Sequence, residues 1–229
     1  REELRLGRGL EYLDPAVYGL ILREGLYGVE RDLKALSLED LRAVALSMLK
    51  HSRVPHVLGT EETAARLARR WGVDEEAARR AALLHDCTKR LSTEQHQRII
   101  RQYHIEMDDE ERREAKLYHA ITGAAVARYV FGVPPEVESA IRWHTTGKAD
   151  MTALEKIIYL ADYIEPTRNF CDLSELRELA SRDLDGAMLL GLEMSIEGLK
   201  KRGAAVNSHS VRARDHLKGK QSDHEKRQT

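Results

Sequence analysis

Apolar residues return at helical spacing through most of this chain, and that periodicity constrains the fold more than any other feature. Leu38, Leu41, Val44, Ala45, Met48 and Leu49 make one stripe, and Ala64, Leu67, Ala68 and Trp71 another. Residues three and four apart share a helix face, so each stripe must be buried against a second helix. β-branched runs are few and the chain has only 5 prolines, which predicts an all-α fold. The punctuation agrees. Ser37 can cap the first stripe, and Pro55 suits the opening turn of the next, which stops at Gly72. Asp74 can cap a third helix that runs to Leu84, while Ser92-Thr93-Glu94-Gln95 and Thr152-Ala153-Leu154-Glu155 fit capping boxes. Further helices are expected from about Leu117 to Phe131, from Pro135 to near His144, and from Asp183 to Arg202 before Gly203.

A length of 229 residues with 42% hydrophobic content is enough for one sizeable core and a small appendage. Cys87 and Cys171 form no CxxC pair, so free thiols and a reducing, cytoplasmic setting are expected. No apolar stretch has the length of a bilayer span, and the first residues do not resemble a secretory leader. Lys plus Arg (37) and Asp plus Glu (38) nearly cancel, which argues against general binding to nucleic acid or a membrane and makes any phosphate recognition local. Residues 218–229 are charged and polar with nothing to pack, and predict a disordered tail.

The chemistry is concentrated where the apolar run Ala81-Ala82-Leu83-Leu84 ends in His85 and Asp86, with Lys89 one turn later. His56 lies upstream, and His119, His144 and Asp162 downstream, each in or beside an amphipathic segment. Imidazole with carboxylate suits iron, manganese, cobalt or zinc, whereas magnesium and calcium prefer oxygen alone. One octahedral ion on His56, His85, Asp86 and Asp162 would keep positions for water and a substrate oxygen. His119 and His144 would then either hold a second ion, with Asp86 bridging, or hydrogen-bond a phosphate; the sequence leaves both open. Taken singly, a histidine on a helix flank is more often an ordinary hydrogen-bonded group. Buried carboxylates at 86 and 162 without an offsetting charge would cost several kcal/mol, on the order of 3–5, and that favours the collective reading. Arg53, Lys89 and Arg168 lie three to six residues from these groups and suit a polyphosphate, although in a chain with 33% charged residues they are also ordinary surface charges. Thr145-Thr146-Gly147 offers hydroxyls and a close backbone approach, or simply a helix-ending turn. Cys87 is read as a small buried thiol rather than a ligand. His51, His96, His104, His209, His216 and His224 have no partner spacing and are expected mostly at the surface.

At these residues the sequence resembles the HD-domain metal phosphohydrolases, and more closely the YqeK family, the symmetrical bis(5'-nucleosyl)-tetraphosphatases. The resemblance rests on Arg53-x-x-His56-x-x-Gly59, Leu83-Leu84-His85-Asp86-x-x-Lys89, His119-x-x-x-Gly123-Ala124, Ala140-Ile141-Arg142-x-His144-Thr145-x-Gly147 and Ala161-Asp162-Tyr163-Ile164-Glu165-Pro166-x-Arg168, in family order over about residues 38 to 217. It implies an HD-type helical bundle with a metal centre among the core helices, and an iron-dependent hydrolase that splits diadenosine tetraphosphate into two ADP. Manganese or cobalt are possible substitutes for one iron, or two. By motif matching, His56, His85, Asp86 and Asp162 are the metal ligands; Arg53, His119, His144 and Arg168 contact the nucleotide phosphates alongside His56, Asp86 and Asp162; Asp86 and Lys89 are catalytic. Val206, Asn207, Ser208, His209 and Ser210 align with a nucleotide-holding segment, though Asn207-Ser208-His209 departs from its usual pattern. The resemblance also implies a homodimer. Leu10-Glu11-Tyr12-Leu13-Asp14-Pro15-Ala16-Val17-Tyr18 and Ile21 to Tyr27 resemble the C-terminal tail of bacterial nicotinate-nucleotide adenylyltransferases. The expected organisation is therefore an adenylyltransferase-like remnant at 1–30, the hydrolase domain at 31–217 and the tail at 218–229, cut from a longer two-enzyme polypeptide. Competing readings are another HD-type nucleotide phosphohydrolase or phosphodiesterase, and a nucleotide-binding regulatory module attached to the adenylyltransferase.

Overall fold

The computed structural model describes residues 2–228, with side chains described for 2–220. The described residues form thirteen α-helices joined by turns and short 3-10 segments, and contain no strand. In order these are α1 (Glu2–Arg5), α2 (Pro15–Glu24), α3 (Leu38–Ser47), α4 (Val54–Trp71), α5 (Glu75–Leu84), α6 (Thr93–Gln102), α7 (Asp109–Arg113), α8 (Tyr118–Tyr129), α9 (Pro135–Trp143), α10 (Ala153–Ile164), α11 (Ser174–Arg182), α12 (Leu184–Lys201) and α13 (Ser208–Gln228). The all-α class is as the periodicity requires.

Local chemistry explains the boundaries. Ser37 Oγ accepts the Asp40 N–H at 3.1 Å, and Asp74 Oδ1 accepts the N–H groups of Glu76 and Ala77, so each cap satisfies donors that a helix start leaves unpaired. Both anticipated capping boxes close, Ser92 with Gln95 and Thr152 with Glu155. A third, Asp108 with Glu111, opens the short α7, which the periodicity did not reveal. Gly72 ends α4 at a φ of 67°, a conformation that costs glycine little.

The core is organised around α10, which packs against α4, α5, α9 and α12. Ile157, Ile158 and Leu160 on α10 are inaccessible to solvent, as are Leu67 on α4 and Leu83 and Leu84 on α5. Each such side chain contributes roughly 1.5–3 kcal/mol on burial. The N-terminal helix α2 belongs to the same core: Tyr18, Ile21 and Leu22 are buried in one cluster with Leu67 and Ile157. Its contact with α3 is a backbone contact, because a Cβ on Gly19 would lie 1.9 Å from the Ala43 carbonyl oxygen. Gly19→Ala is therefore expected to lower the thermal midpoint, at a cost of about 1–3 kcal/mol; an unchanged melting curve would show that α2 rests loosely on the domain.

Two expectations need correction. The polar segment from residue 218 continues α13 as far as Gln228, and its first turn is tied down: Lys218 pairs with Glu193 at 2.7 Å and Lys220 with Asp150 at 3.0 Å. His96 is buried rather than exposed. Its Nδ1 lies 2.8 Å from Thr122 Oγ1 and its ring sits edge-on to Tyr118, and burial lowers its pKa. The partner sits on α8, outside any local spacing around α6. Among the described residues no helix is long and apolar enough to cross a membrane.

Candidate metal centre

Five helix ends converge on one place. His56 stands in the first turn of α4, His119 in the first turn of α8 and Asp162 in the last turn of α10. His85 and Asp86 directly follow α5, and His144 directly follows α9. The four histidines and Asp86 are buried, and Asp162 is nearly so. The six residues singled out from the sequence are thus neighbours in space.

Every imidazole in the cluster has its Nδ1 committed. His85 donates from Nδ1 to the Ala82 carbonyl at 2.6 Å, His119 to that of Lys116 at 2.7 Å and His144 to that of Ile141 at 2.7 Å. His56 donates from Nδ1 to Glu165 Oε1 at 3.0 Å. A neutral imidazole carries one proton, so each Nε2 is left with a bare lone pair. These lone pairs face each other: His56 Nε2 and His85 Nε2 are 3.3 Å apart, and His119 Nε2 and His144 Nε2 are 3.2 Å apart. Asp162 Oδ1 lies 3.1 Å from His56 Nε2, and Asp86 Oδ2 lies 3.6 Å from His85 Nε2. Donors around bonds of ~2.1 Å stand about 3.0–3.4 Å apart, so most of these separations suit a shared cation. Among the described residues, His56 with His85 and Asp162 makes one candidate metal group, and His85 with Asp86 and His144 an overlapping one.

The carboxylates make the same demand for positive charge. Asp86 Oδ1 is buried and accepts no hydrogen bond. Its nearest neighbours are Lys89 Nζ at 3.5 Å and His119 Nε2 at 3.4 Å. Elsewhere this chain neutralises a buried acid with its own side chains: Glu61 accepts from Arg42 at 2.6 and 2.9 Å and from Arg79 at 3.1 Å. Burial pushes the Asp86 carboxyl up, but the surrounding imidazoles and the Lys89 ammonium outweigh it and hold the group far below the usual carboxylate range. Asp162 shows the same balance, burial being overcome by the His56 hydrogen bond, His85 and Arg168. Burial also drives His144 down to about 4 and His119 to about 2, so both imidazoles are neutral at neutral pH, the form in which histidine binds metals. The residues present therefore fit a transition-metal ion.

The three cations border this cluster. Arg53 Nη2 donates to Asp86 Oδ2, while Arg53 Nε is buried with no acceptor. Arg168 donates from Nη2 to Asp162 Oδ1 at 2.5 Å and from Nε to the Asp162 carbonyl at 2.9 Å. Lys89 donates to His119 Nε2 at 2.8 Å. Residues 206–210 stay outside the cluster. Ser208 N–H bonds to Glu110 at 2.7 Å and His209 Nε2 donates to Asp108 at 2.8 Å, which pins the start of α13 to α7. The His209 ring meets Trp143, the neighbour of His144, at 4.9 Å. Asp108, Glu111 and His209 also converge, but Arg142 pairs with Glu111 and the His209 N–H with Asp108, so protein groups already balance that charge.

One residue escaped the sequence reading as a working part. Glu165 has no solvent exposure and orients His56. Thr167 donates to it through its backbone N–H at 2.6 Å and its hydroxyl at 2.5 Å. Gly59 leaves the room for this carboxylate, since a Cβ there would lie 2.6 Å from Glu165 Oε2. The available signal was a glutamate wedged between apolar Ile164 and Pro166, three residues past Asp162.

Residues 53–167 match the HD domain family model, so the fold and the site define an HD-domain protein. A solved structure described as a predicted HD superfamily hydrolase involved in NAD metabolism, from Clostridium acetobutylicum, superposes with a TM-score of 0.77 at 37% identity, covering 81% of this chain and 98% of that one. The symmetrical bis(5'-nucleosyl)-tetraphosphatase of Halalkalibacterium halodurans is 38% identical over 175 residues, 72% of this chain and 90% of the relative. The chain belongs to that family. A Mycoplasma pneumoniae relative named as a probable nicotinate-nucleotide adenylyltransferase/Ap4A hydrolase is 29% identical over 67% of this chain, and the match covers 45% of that longer protein.

Proposed function

We propose that this chain hydrolyses diadenosine tetraphosphate at its centre to two ADP, with iron held by His56, His85, Asp86 and Asp162. The observation that carries the reading is the Asp86 carboxylate, with one oxygen toward each half of a cluster of bare imidazole nitrogens and with Arg53 and Lys89 beside it. The names of the similar enzymes support the substrate. When bound, the ion supplies Lewis acidity and lowers the pKa of water within its reach, to about 7 in favourable cases.

The protein's own groups hold and polarise the substrate. Arg53 and Arg168 fork onto non-bridging phosphate oxygens, Arg53 through the Nε–H that has no other acceptor. Lys89 offsets charge that develops on the phosphorus centre under attack, and His119 aims its ammonium by accepting from it. Asp86 Oδ1 is open to accept a hydrogen bond from the attacking water and so orients it. With Nδ1–H committed to carbonyls, His119 or His144 donates to a phosphate oxygen only when its Nε2 carries an added proton. Lys89 already stands against His119 and Asp86, so one ion suffices and a second would have to displace it. The resemblance of residues 10–27 to an adenylyltransferase tail, and the double name of the Mycoplasma relative, support a longer polypeptide in which this segment is the hydrolase.

The test is product identity. Iron-loaded protein incubated anaerobically with diadenosine tetraphosphate is expected to release ADP as the sole nucleotide product, with turnover removed by chelation and restored by iron, manganese or cobalt. ATP with AMP, or no turnover at all, would overturn the reading.

A further inference from the structure

A substrate with two nucleosides must place both, and the cluster accounts only for the phosphates between them. Two cavities are lined by residues before and after the turn from α12 to α13. One, of about 310 Å³, is lined by Val206 and Asn207 together with Glu110 and Arg113, the segment whose family resemblance marks it as nucleotide-holding. The other, of about 510 Å³, is lined by Tyr163, Phe170, Ser195, Lys201 and Arg202 among others, within the ~300–1,000 Å³ usual for small-molecule sites. Nothing described so far uses the second cavity.

Its lining has the chemistry of a nucleotide. Phe170 keeps 56% of its surface exposed, an unusual state for so large an aromatic group. Tyr163 props it edge-on, at 5.2 Å between ring centroids and 86° between planes, and more than half of the side chain stays accessible to a ligand. Bases stack on such rings whatever their identity. Lys201 and Arg202 add positive charge at the lip; Lys201 pairs with Glu197 at 3.3 Å, while Arg202 forms no ion pair among the described residues. Arg168 links this cavity to the metal centre, since its guanidinium carbon lies 6.0 Å from the Phe170 ring while Nη2 bonds Asp162. A phosphate held by Arg168 therefore leads toward Phe170.

We infer that the cavity beneath Phe170 is the subsite for the second nucleoside of the dinucleotide, with Phe170 stacking on its base and Arg202 meeting its outer phosphate. This inference rests on the hydrolase reading above. It concerns the half of the substrate that leaves from the far side of the scissile bond.

The experiment compares diadenosine tetraphosphate with adenosine 5'-tetraphosphate, which keeps all four phosphates but lacks the second nucleoside. For Phe170→Ala, the ratio of kcat/KM for the dinucleotide to that for the mononucleotide is expected to fall about tenfold, near the low end of what loss of a base–aromatic stack gives. Phe170→Trp should restore the ratio, whereas Arg202→Ala removes a contact to a phosphate that both substrates carry and should lower kcat/KM for both, leaving the ratio near its starting value. Circular dichroism and melting curves confirm folding, which an exposed side chain does not govern. A ratio unchanged in Phe170→Ala overturns the subsite, even where both substrates lose activity equally, and leaves the hydrolase reading intact. Failure of the unmodified iron-loaded protein to turn over the dinucleotide overturns the hydrolase reading, and the subsite falls with it.

Discussion

The Asp86→Asn protein is expected to fold, to retain little metal after dialysis, and to lose kcat by on the order of 10³-fold, as when a preorganised electrostatic partner is removed from an active site. The substitution is nearly isosteric, so no cavity is opened, yet it removes a charge that meets both halves of the histidine cluster. The metal-free fold is expected to lose stability too, because the imidazoles and Lys89 around Asp86 favour its ionised form over the neutral one, and the amide gives up its attraction to Arg53 and Lys89. Elemental analysis beside a melting curve and product assay separates these effects. Full metal content with normal turnover would show that the cluster works without this carboxylate.

Glu165→Ala should produce the second large loss, in a residue that need touch neither metal nor substrate. Its removal strips His56 Nδ1 of its acceptor and leaves both Thr167 donors unpaired. Groups that orient a ligand histidine typically govern metal affinity by about 10–100-fold, and that is the expected weakening here. The buried His56 N–H left without a partner adds about 1–3 kcal/mol of destabilisation, so the melting midpoint should fall as well. Chelator competition separates the two contributions, since a Glu165→Gln variant keeps the volume and one acceptor and should recover more stability than affinity. Equal metal affinity in all three proteins would remove Glu165 from the site.

What could be read along the chain and what could not follows from the range of the interactions. Ser37, Asp74 and Thr152 act on N–H groups two or three residues away, so their caps are visible as short motifs. His85 and Asp86 stood out because polar groups ended an apolar run, although nothing in local spacing places His56 beside Asp162, 3.1 Å away after more than a hundred residues. That pairing rested on family motifs until the fold supplied it. His96 was misjudged and Glu165 passed over for the same reason. Each is buried by a partner from a different helix, Thr122 for one and His56 for the other, and no window of sequence contains both. The segment around 205–210 had the opposite problem: its resemblance was noticed, but its docking onto α7 depends on Asp108 and Glu110, about a hundred residues earlier.

The lysine at position 89 gives the centre an asymmetry with a physiological edge. Where a dinuclear arrangement would depend on two ions from the surroundings, the corner between Asp86 and His119 is served by an ammonium on a tether, which no chelator strips and no oxidant converts. Starving such a protein of metal would leave that corner standing for the metal's return.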